Sequence, residues 1–413
     1  LLGSAYFEQE RKRVGGQITM EFAPTDNLTV VLDAFSSTLE ASNYNRNYML
    51  WGARIIGSGA VPDAGFVVRD NTLVEANFTA DPSKQYGVYD QISRPGDESG
   101  SDYLTADIEW NLNDQWTLWF QAGTSEGYGR TPTQDVAEWG MGLGTGAGWR
   151  LNGVGAADWH LGSTDTSQPG EAGQDVKFDW LFGDQDVDVE DKEDWVKFDS
   201  NVVLDRGILT SMDFGLRYAD HSRNLDHITG QAPGCIDSSG NNHPWDWSQQ
   251  YWCPEGTESP ADPANWPSGH MNYPGDFGSG LGGSFPRDIW YYTAEQLADL
   301  NQLANRDPEA RLRWPGLYGV DETSSAAYLQ FNFHGEAWSA NLGLRYVRTE
   351  ENITTWVNAQ PEDPDAIFGS AWGPYKTVLT EHSYNDWLPT FNFRYSLNDN
   401  MDLRFAATQT LGR

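Results

Sequence analysis

Apolar and polar side chains alternate over short stretches of this chain, and the stretches come in pairs joined by tight polar turns. In Trp338-Ser-Ala-Asn-Leu-Gly-Leu-Arg-Tyr-Val347, Trp338, Ala340, Leu342, Leu344 and Tyr346 fall on one face, and Ser339, Asn341, Gly343 and Arg345 on the other. Successive side chains of an extended strand point to opposite sides, so this is a strand with one apolar face. The pattern recurs in Ala327, Leu329, Phe331 and Phe333 against Tyr328, Gln330 and Asn332, and in Leu104, Ala106, Ile108 and Trp110 against Thr105, Asp107 and Glu109. Turns at Asp26-Asn27, Asn113-Asp114, Asp205-Arg206-Gly207, His334-Gly335-Glu336 and Asn398-Asp399 predict five hairpins. Long segments separate them, at about 42–100, 127–190, 222–322 and 356–382, rich in Gly, Pro, Asp, Asn and Trp. Structureless connections of that length are foreign to a compact soluble domain. Short turns alternating with long loops predict an all-β fold, a transmembrane antiparallel β-barrel with short periplasmic turns and long extracellular loops.

Composition supports that reading. Hydrophobic residues make up 38% of the 413 positions and mean hydropathy is -0.60, too low for a packed interior on this scale. A barrel needs only a thin outward apolar band, since its lumen is polar and its loops are wet. Aromatic residues reach 13%, with 19 Trp. Trp110 and Trp116 flank one turn, and Trp338 and Tyr395 lie near two others, as girdles at a lipid interface require, so outer-membrane lipid is an expected partner. The 60 acidic residues outnumber 26 basic ones, giving a net charge of -34. That excludes a general nucleic-acid-binding surface, which needs clustered Lys and Arg.

Candidate chemistry concentrates in the third long segment. Trp245, Trp247, Trp252, Trp266, Trp290 and Trp314 are interleaved there with Asp237, Asp246, Asp276 and Asp288. Aromatic platforms beside carboxylates hold sugars by stacking on C–H faces while polar groups take hydroxyls. Trp245, Trp247, Trp252, Trp266, Trp290 and Asp246 are therefore the candidate substrate-binding residues; the alternative role for these tryptophans is packing a loop with few aliphatics. Cys235 and Cys253 lie in the same loop, and a disulfide between them would close about eighteen residues and add roughly 3 kcal/mol. Two free thiols are the alternative. Thr293-Ala-Glu-Gln296 is a capping box, followed by Leu297, Leu300 and Leu303 at helical spacing, which predicts one helix that packs the loop.

Other patterns carry little. The acidic run 183–194 fails as a calcium loop, because counting from Asp184 the turn position is Val189 and the twelfth is Trp195; a solvated acidic loop is expected instead. His160, His221, His227, His243, His270, His334 and His382 show no metal-ligand spacing. Carboxylate pairs could be picked at will among so many acids, and no Gly-x-Ser-x-Gly elbow occurs. No catalytic constellation, metal or cofactor is expected, and the protein is read as a non-enzyme.

Ala340-Asn-Leu-Gly-Leu-Arg-Tyr-Val-Arg-Thr-Glu350, Asp386-Trp-Leu-Pro-Thr-Phe-Asn-Phe-Arg-Tyr395 and Leu403-Arg-Phe-Ala-Ala-Thr-Gln-Thr-Leu-Gly-Arg413 resemble strands of TonB-dependent outer-membrane receptors, in particular the Xanthomonas/Caulobacter type. Residues 13–33 are similar to an earlier hairpin of that family. The resemblance implies residence in the outer membrane of a Gram-negative bacterium. It further implies a 22-stranded barrel occluded by an N-terminal plug, with uptake energised through the TonB complex. Plug and closing strands are absent from residues 1–413, so the chain is expected to be an internal fragment of the barrel. The implied function is uptake of a scarce nutrient, first of all an oligosaccharide. A ferric siderophore is the second candidate, and a secreted all-β polysaccharide-active enzyme or carbohydrate-binding protein is the rival of another class.

Overall fold

In a computed structural model of the chain, eleven strands form one antiparallel sheet. The structure describes residues 1–413 except 82, 143–145, 163–164, 170–175, 233–234, 238, 240–241, 244–256, 259–261, 305 and 413, together with a few side chains around 180–182, 230–243 and 257. The strands are β1 (Leu2–Thr25), β2 (Leu28–Leu50), β3 (Gly87–Asn113), β4 (Trp116–Thr133), β5 (Asp135–Met141), β6 (Val176–Arg206), β7 (Leu209–Ala232), β8 (Tyr318–His334), β9 (Trp338–Asn358), β10 (Tyr375–Asn398) and β11 (Met401–Thr408). Each pairs with its sequence neighbour, and β5 takes over the lane of β4 between β3 and β6.

The five expected hairpins are present, with turns at 26–27, 114–115, 207–208, 335–337 and 399–400, three of them one residue later than the sequence suggests. Their chemistry is local. The Asn113 side-chain oxygen accepts from the amides of Gln115 at 2.9 Å and Trp116 at 3.0 Å, and that of Asn398 accepts from Asn400 at 3.0 Å. Such bonds mimic a backbone turn. Gly207 sits at φ 66°, where a side chain would be strained.

The alternation sorts the two faces of the sheet. Register aligns Ile108 with Phe120 and Phe120 with Phe198, then Leu329 with Leu344 and Leu344 with Pro389, into continuous apolar rows. These side chains are open: Val196 is 53% exposed, Leu216 58% and Leu342 52%. Together they make one continuous exposed apolar band on this face of the sheet. The opposite face is a polar network. Tyr328 donates to Asp199 at 2.7 Å, Gln330 to Asp213 at 3.3 Å and Asn332 to Ser211 at 3.0 Å. A hollow of about 760 Å³ between Ala106, Phe120, Ala122, Phe198 and Leu216 belongs to the apolar band.

The strands run farther than the sequence suggests. About ten residues of tilted strand cross a bilayer, whereas β3 has 27 and β6 has 31. Residues 42–50, 87–100, 127–133, 176–190, 222–232, 318–322, 356–358 and 375–382, assigned above to loops, are strand. The acidic run 183–194 is likewise part of β6 and not a loop. Alternation marks a strand only where one face is apolar; beyond the band both faces are polar or covered by protein, and the ladder continues unmarked.

Those risers carry a folded cap. The face of β2 that holds Val30, Leu32 and Ala34 in the band holds Tyr44, Arg46, Tyr48 and Leu50 higher up, where all four are buried. Helix α1 (Gly52–Gly57) and a small sheet of Val67–Arg69, Thr72–Phe78, Ala147–Arg150 and Asp158–Leu161 come from the first two long connections. The third supplies a two-stranded ribbon, Met271–Asn272 with Trp290–Tyr291, and helix α2 (Ala294–Asn301). The predicted capping box is present: Gln296 N–H donates to Thr293 Oγ1 at 3.2 Å and Thr293 N–H to Gln296 Oε1 at 2.9 Å. Leu297 and Leu300 are buried beneath it.

Candidate ligand-binding cap

The cap core is aromatic. Trp139 on β5, Tyr89 on β3 and Tyr48 on β2 meet Tyr273, Trp290 and Tyr292 from the third connection, all buried. Trp290 is 1% exposed, with ring centroids 5.0 Å from Tyr89, 5.3 Å from Trp139 and 5.2 Å from Tyr292. Its carbonyl accepts from Tyr89 Oη at 2.5 Å. Trp290 thus has the packing role, and as placed it offers no face to a ligand. The reason is supply: a connection with few aliphatics builds its interior from rings. Trp314 is similar, 9% exposed and stacked on Tyr375 at 5.9 Å.

Of the remaining candidates, Trp266 is half-buried, edge-on to Trp139 at 6.3 Å and near Phe178 at 6.5 Å. Trp245, Trp247, Trp252 and Asp246 lie outside the described residues, as do Cys253 and the side chain of Cys235, and with them the predicted disulfide. Among the other acids of the segment, Asp288 accepts from Asn272 Nδ2 at 3.0 Å and braces the ribbon.

Three polar arrangements escaped the sequence reading. Arg46 is 3% exposed and sits among tyrosines, its guanidinium carbon 3.7 Å from the ring of Tyr44, 4.3 Å from Tyr291 and 4.6 Å from Tyr6. Glu8 neutralises it at 2.7 Å. Cation–π contact in a dry setting is worth about 2 kcal/mol, so this box fastens the third connection to β1 and β2. The only sequence signal is the spacing Tyr44, Arg46, Tyr48 on one strand face.

The second is a hub at Arg306, just after α2, which donates to Asp135 at 2.8 Å, Thr133 at 3.0 Å, Asn301 Oδ1 at 3.1 Å and Gln185 at 3.3 Å. It joins the helix to three strands. Nearby, His227 Nε2 lies 2.7 Å from Asp184 Oδ1, which also accepts from Thr229 at 3.1 Å. Burial pushes the Asp184 carboxyl up, but these bonds prevail and hold it below its ordinary value.

The third is a carboxyl cluster. Asp90 on β3 faces Glu138 on β5 in direct register. A bulge on β6 between Phe178 and Trp180 sets Asp179 beside them, where it accepts from Gln85 Nε2 at 2.8 Å and lies 3.6 Å from Arg54 of α1. Burial first, then the charge of Asp90, pushes Glu138 up to about 8. Among the described residues no group of His, Cys, Asp or Glu converges to hold a metal ion.

Residues 156–413 match the family described as TonB dependent receptor-like, beta-barrel. No match is found among curated proteins. Similar solved structures include the ferric-catecholate import receptor Fiu of E. coli K12 in its closed form, at 13% identity and a TM-score of 0.37 over 98% of this chain and 49% of that one. The siderophore receptor PiuA of Acinetobacter baumannii is similar at 11% identity and a TM-score of 0.34, over 95% of this chain and 44% of that one. The chain spans about half the length of these structures. With the paired hairpins, the apolar band on one face of the sheet and the polar network on the other in view, this chain belongs to the TonB-dependent receptor family and has its antiparallel β-barrel fold.

Proposed function

We propose that this protein is a transporter of the outer membrane that captures a scarce neutral oligosaccharide above the barrel and passes it inward, with energy from the TonB complex through a plug. It makes and breaks no bond. The barrel is proposed to be 22-stranded and of the Xanthomonas/Caulobacter type, on the strength of the strand motifs at 340–350, 386–395 and 403–413.

The observation that carries the cargo class is electrostatic. The chain has 60 acidic against 26 basic residues. Six cations at this level are already paired: Arg46 with Glu8, Arg130 with Asp188, Lys192 with Glu190, Arg223 with Asp191, Arg306 with Asp135 and Arg348 with Glu350. A polyanionic iron chelate approaching this surface meets net repulsion, whereas a neutral hydroxyl-rich ligand does not. Tryptophans of the third connection other than the buried Trp290 are the proposed platforms, Trp245 and Trp247 foremost, with Trp252, Trp266 and Asp246 beside them.

One feature favours the siderophore reading. A hollow of about 460 Å³ is lined by Arg217, Ser324, Arg345 and Thr390, whose side chains share the polar face of the sheet; Arg217 is paired with Glu193 at 2.5 Å, and Arg345 is the cation it offers to an anionic cargo in transit. Calorimetric titration of the full-length receptor in detergent separates the two. Neutral oligosaccharide is expected to bind, and Trp245→Ala with Trp247→Ala to weaken it; binding of ferric siderophore alone, or an unchanged saccharide affinity, overturns the proposal. The secreted all-β rival fails if the protein needs detergent to leave the membrane, as the exposed leucine band demands.

A further inference from the structure

The geometry points to a proton-operated latch in the cap: one proton shared by Asp90 and Glu138 holds β5 in the sheet, and its loss loosens that strand and the connection that follows it. This inference concerns the cap whatever the cargo is.

β5 is seven residues long and is the one strand of the sheet that never enters the apolar band. It is zipped to β3 from Gly87↔Met141 to Ser93↔Asp135 and to β6 from Val176↔Met141 to Phe182↔Val136. At its middle, Glu138 stands opposite Asp90 on one side and opposite the β6 bulge on the other. The bulge matters, because two residues of β6 then oppose one of β5 and a third carboxyl, Asp179, is brought to the same spot. The charged groups facing Glu138 from the elements around it are Asp90 of β3, Asp179 of β6 and Arg54 of α1. Three carboxyls thus share one cation. Arg54 and Gln85 are both spent on Asp179, which leaves Asp90 and Glu138 to satisfy each other by a hydrogen bond. Asp90 Oδ1 is buried with no further partner. Like charges directly opposite in a ladder destabilise it, so the pair is stable with one proton between them and strained with none.

The step is a simple ionisation. The shared carboxyl releases its proton to water, the O–H···O bond between the two side chains is lost, and two carboxylates are left facing each other. The neighbouring side chains of β5 resist opening, for Ala137 and Trp139 are fully buried in the aromatic core. The closed strand therefore stays dominant and ionisation raises the open fraction. The sign follows from linkage. Glu138 binds its proton more tightly in the closed strand than in an open one, so the closed state has its full advantage below the ordinary carboxyl range. It loses that advantage as pH rises toward about 8, by up to roughly tenfold per pH unit. Opening β5 frees the N-terminal attachment of the segment that carries Trp149 and Trp159, which the small sheet still holds from Glu75↔Arg150 to Phe78↔Ala147, and so loosens one side of the cap.

Amide hydrogen exchange on the full-length receptor in detergent tests this, with rates corrected for the intrinsic effect of pH. Protection at residues 136–141 is expected to fall at least about tenfold between pH 5 and pH 8, while residues 196–200 in the band stay constant. Glu138→Gln, which keeps a hydrogen bond without ionising, is expected to flatten that fall; Asp90→Asn is the second variant should the first not fold. A flat wild-type profile, or a full-sized fall retained in either variant, overturns the latch.

Discussion

Replacing Trp290 by alanine tests whether the aromatic interior of the cap is structure or site. A buried Trp side chain hides about 150–250 Å² from water, which at about 25 cal/mol per Å² corresponds to roughly 4–6 kcal/mol. The unfolded chain already buries part of that area, which lowers the figure by roughly 10–40%. The hole left among Tyr89, Trp139 and Tyr292 partly restores it, and Trp→Ala changes in cores cost about 3–5 kcal/mol. The backbone bond from Tyr89 survives, since it goes to the Trp290 carbonyl. A loss of about 3 kcal/mol is thus expected in the cap, and little in the barrel, whose ladders do not involve this ring. Exchange of the amides at 289–301 reads it directly: at about 1.4 kcal/mol per tenfold, protection there falls by roughly two decades while residues 196–200 hold. Ligand affinity follows only through the loosened cap. Protection changed by less than about fivefold, together with lost binding, would refute the packing assignment and return Trp290 to the ligand.

Two further outcomes follow from the faces and caps of the fold. Leu342→Arg puts a charge on the apolar band and is expected to destabilise the membrane-inserted state by about 2–4 kcal/mol if it lies near the midplane, whereas Asn341→Arg on the polar face costs little; folding titrations in lipid vesicles that give equal losses would invert the assignment of the two faces. Thr293→Ala removes the acceptor for the Gln296 amide and is expected to cost about 1 kcal/mol, read as faster exchange in α2, while Thr293→Ser retains the bond.

How far the sequence could be read depended on how local the determining physics was. The turns at Asn113-Asp114 and Asn398-Asp399 announce themselves because an Asx side chain bonds amides two or three residues on. The capping box at Thr293 closes within one helical turn and was legible for the same reason. The outer limits of the strands were not, because above the band the alternation that marks a strand fades while its hydrogen bonds continue. The candidate site was the least legible part. A tryptophan that stacks on a sugar and one that fills a core look identical in sequence, and only the arrival of Tyr89 and Trp139 from strands more than a hundred residues away decides that Trp290 is the second kind.

The sequence by itself determined the hairpins, the apolar and polar faces, the acidic surface and membership of a barrel family, since each is set by side-chain period, turn chemistry or summed charge. Tertiary structure alone decided what meets above the membrane. The Arg46 box draws Tyr6, Tyr44 and Tyr291 from three elements, and the Asp90–Glu138–Asp179 cluster exists only because one bulge on β6 brings a third carboxyl to a pair already in register. Burial and like charge then give Asp90 and Glu138 a proton affinity that no isolated stretch of this chain possesses.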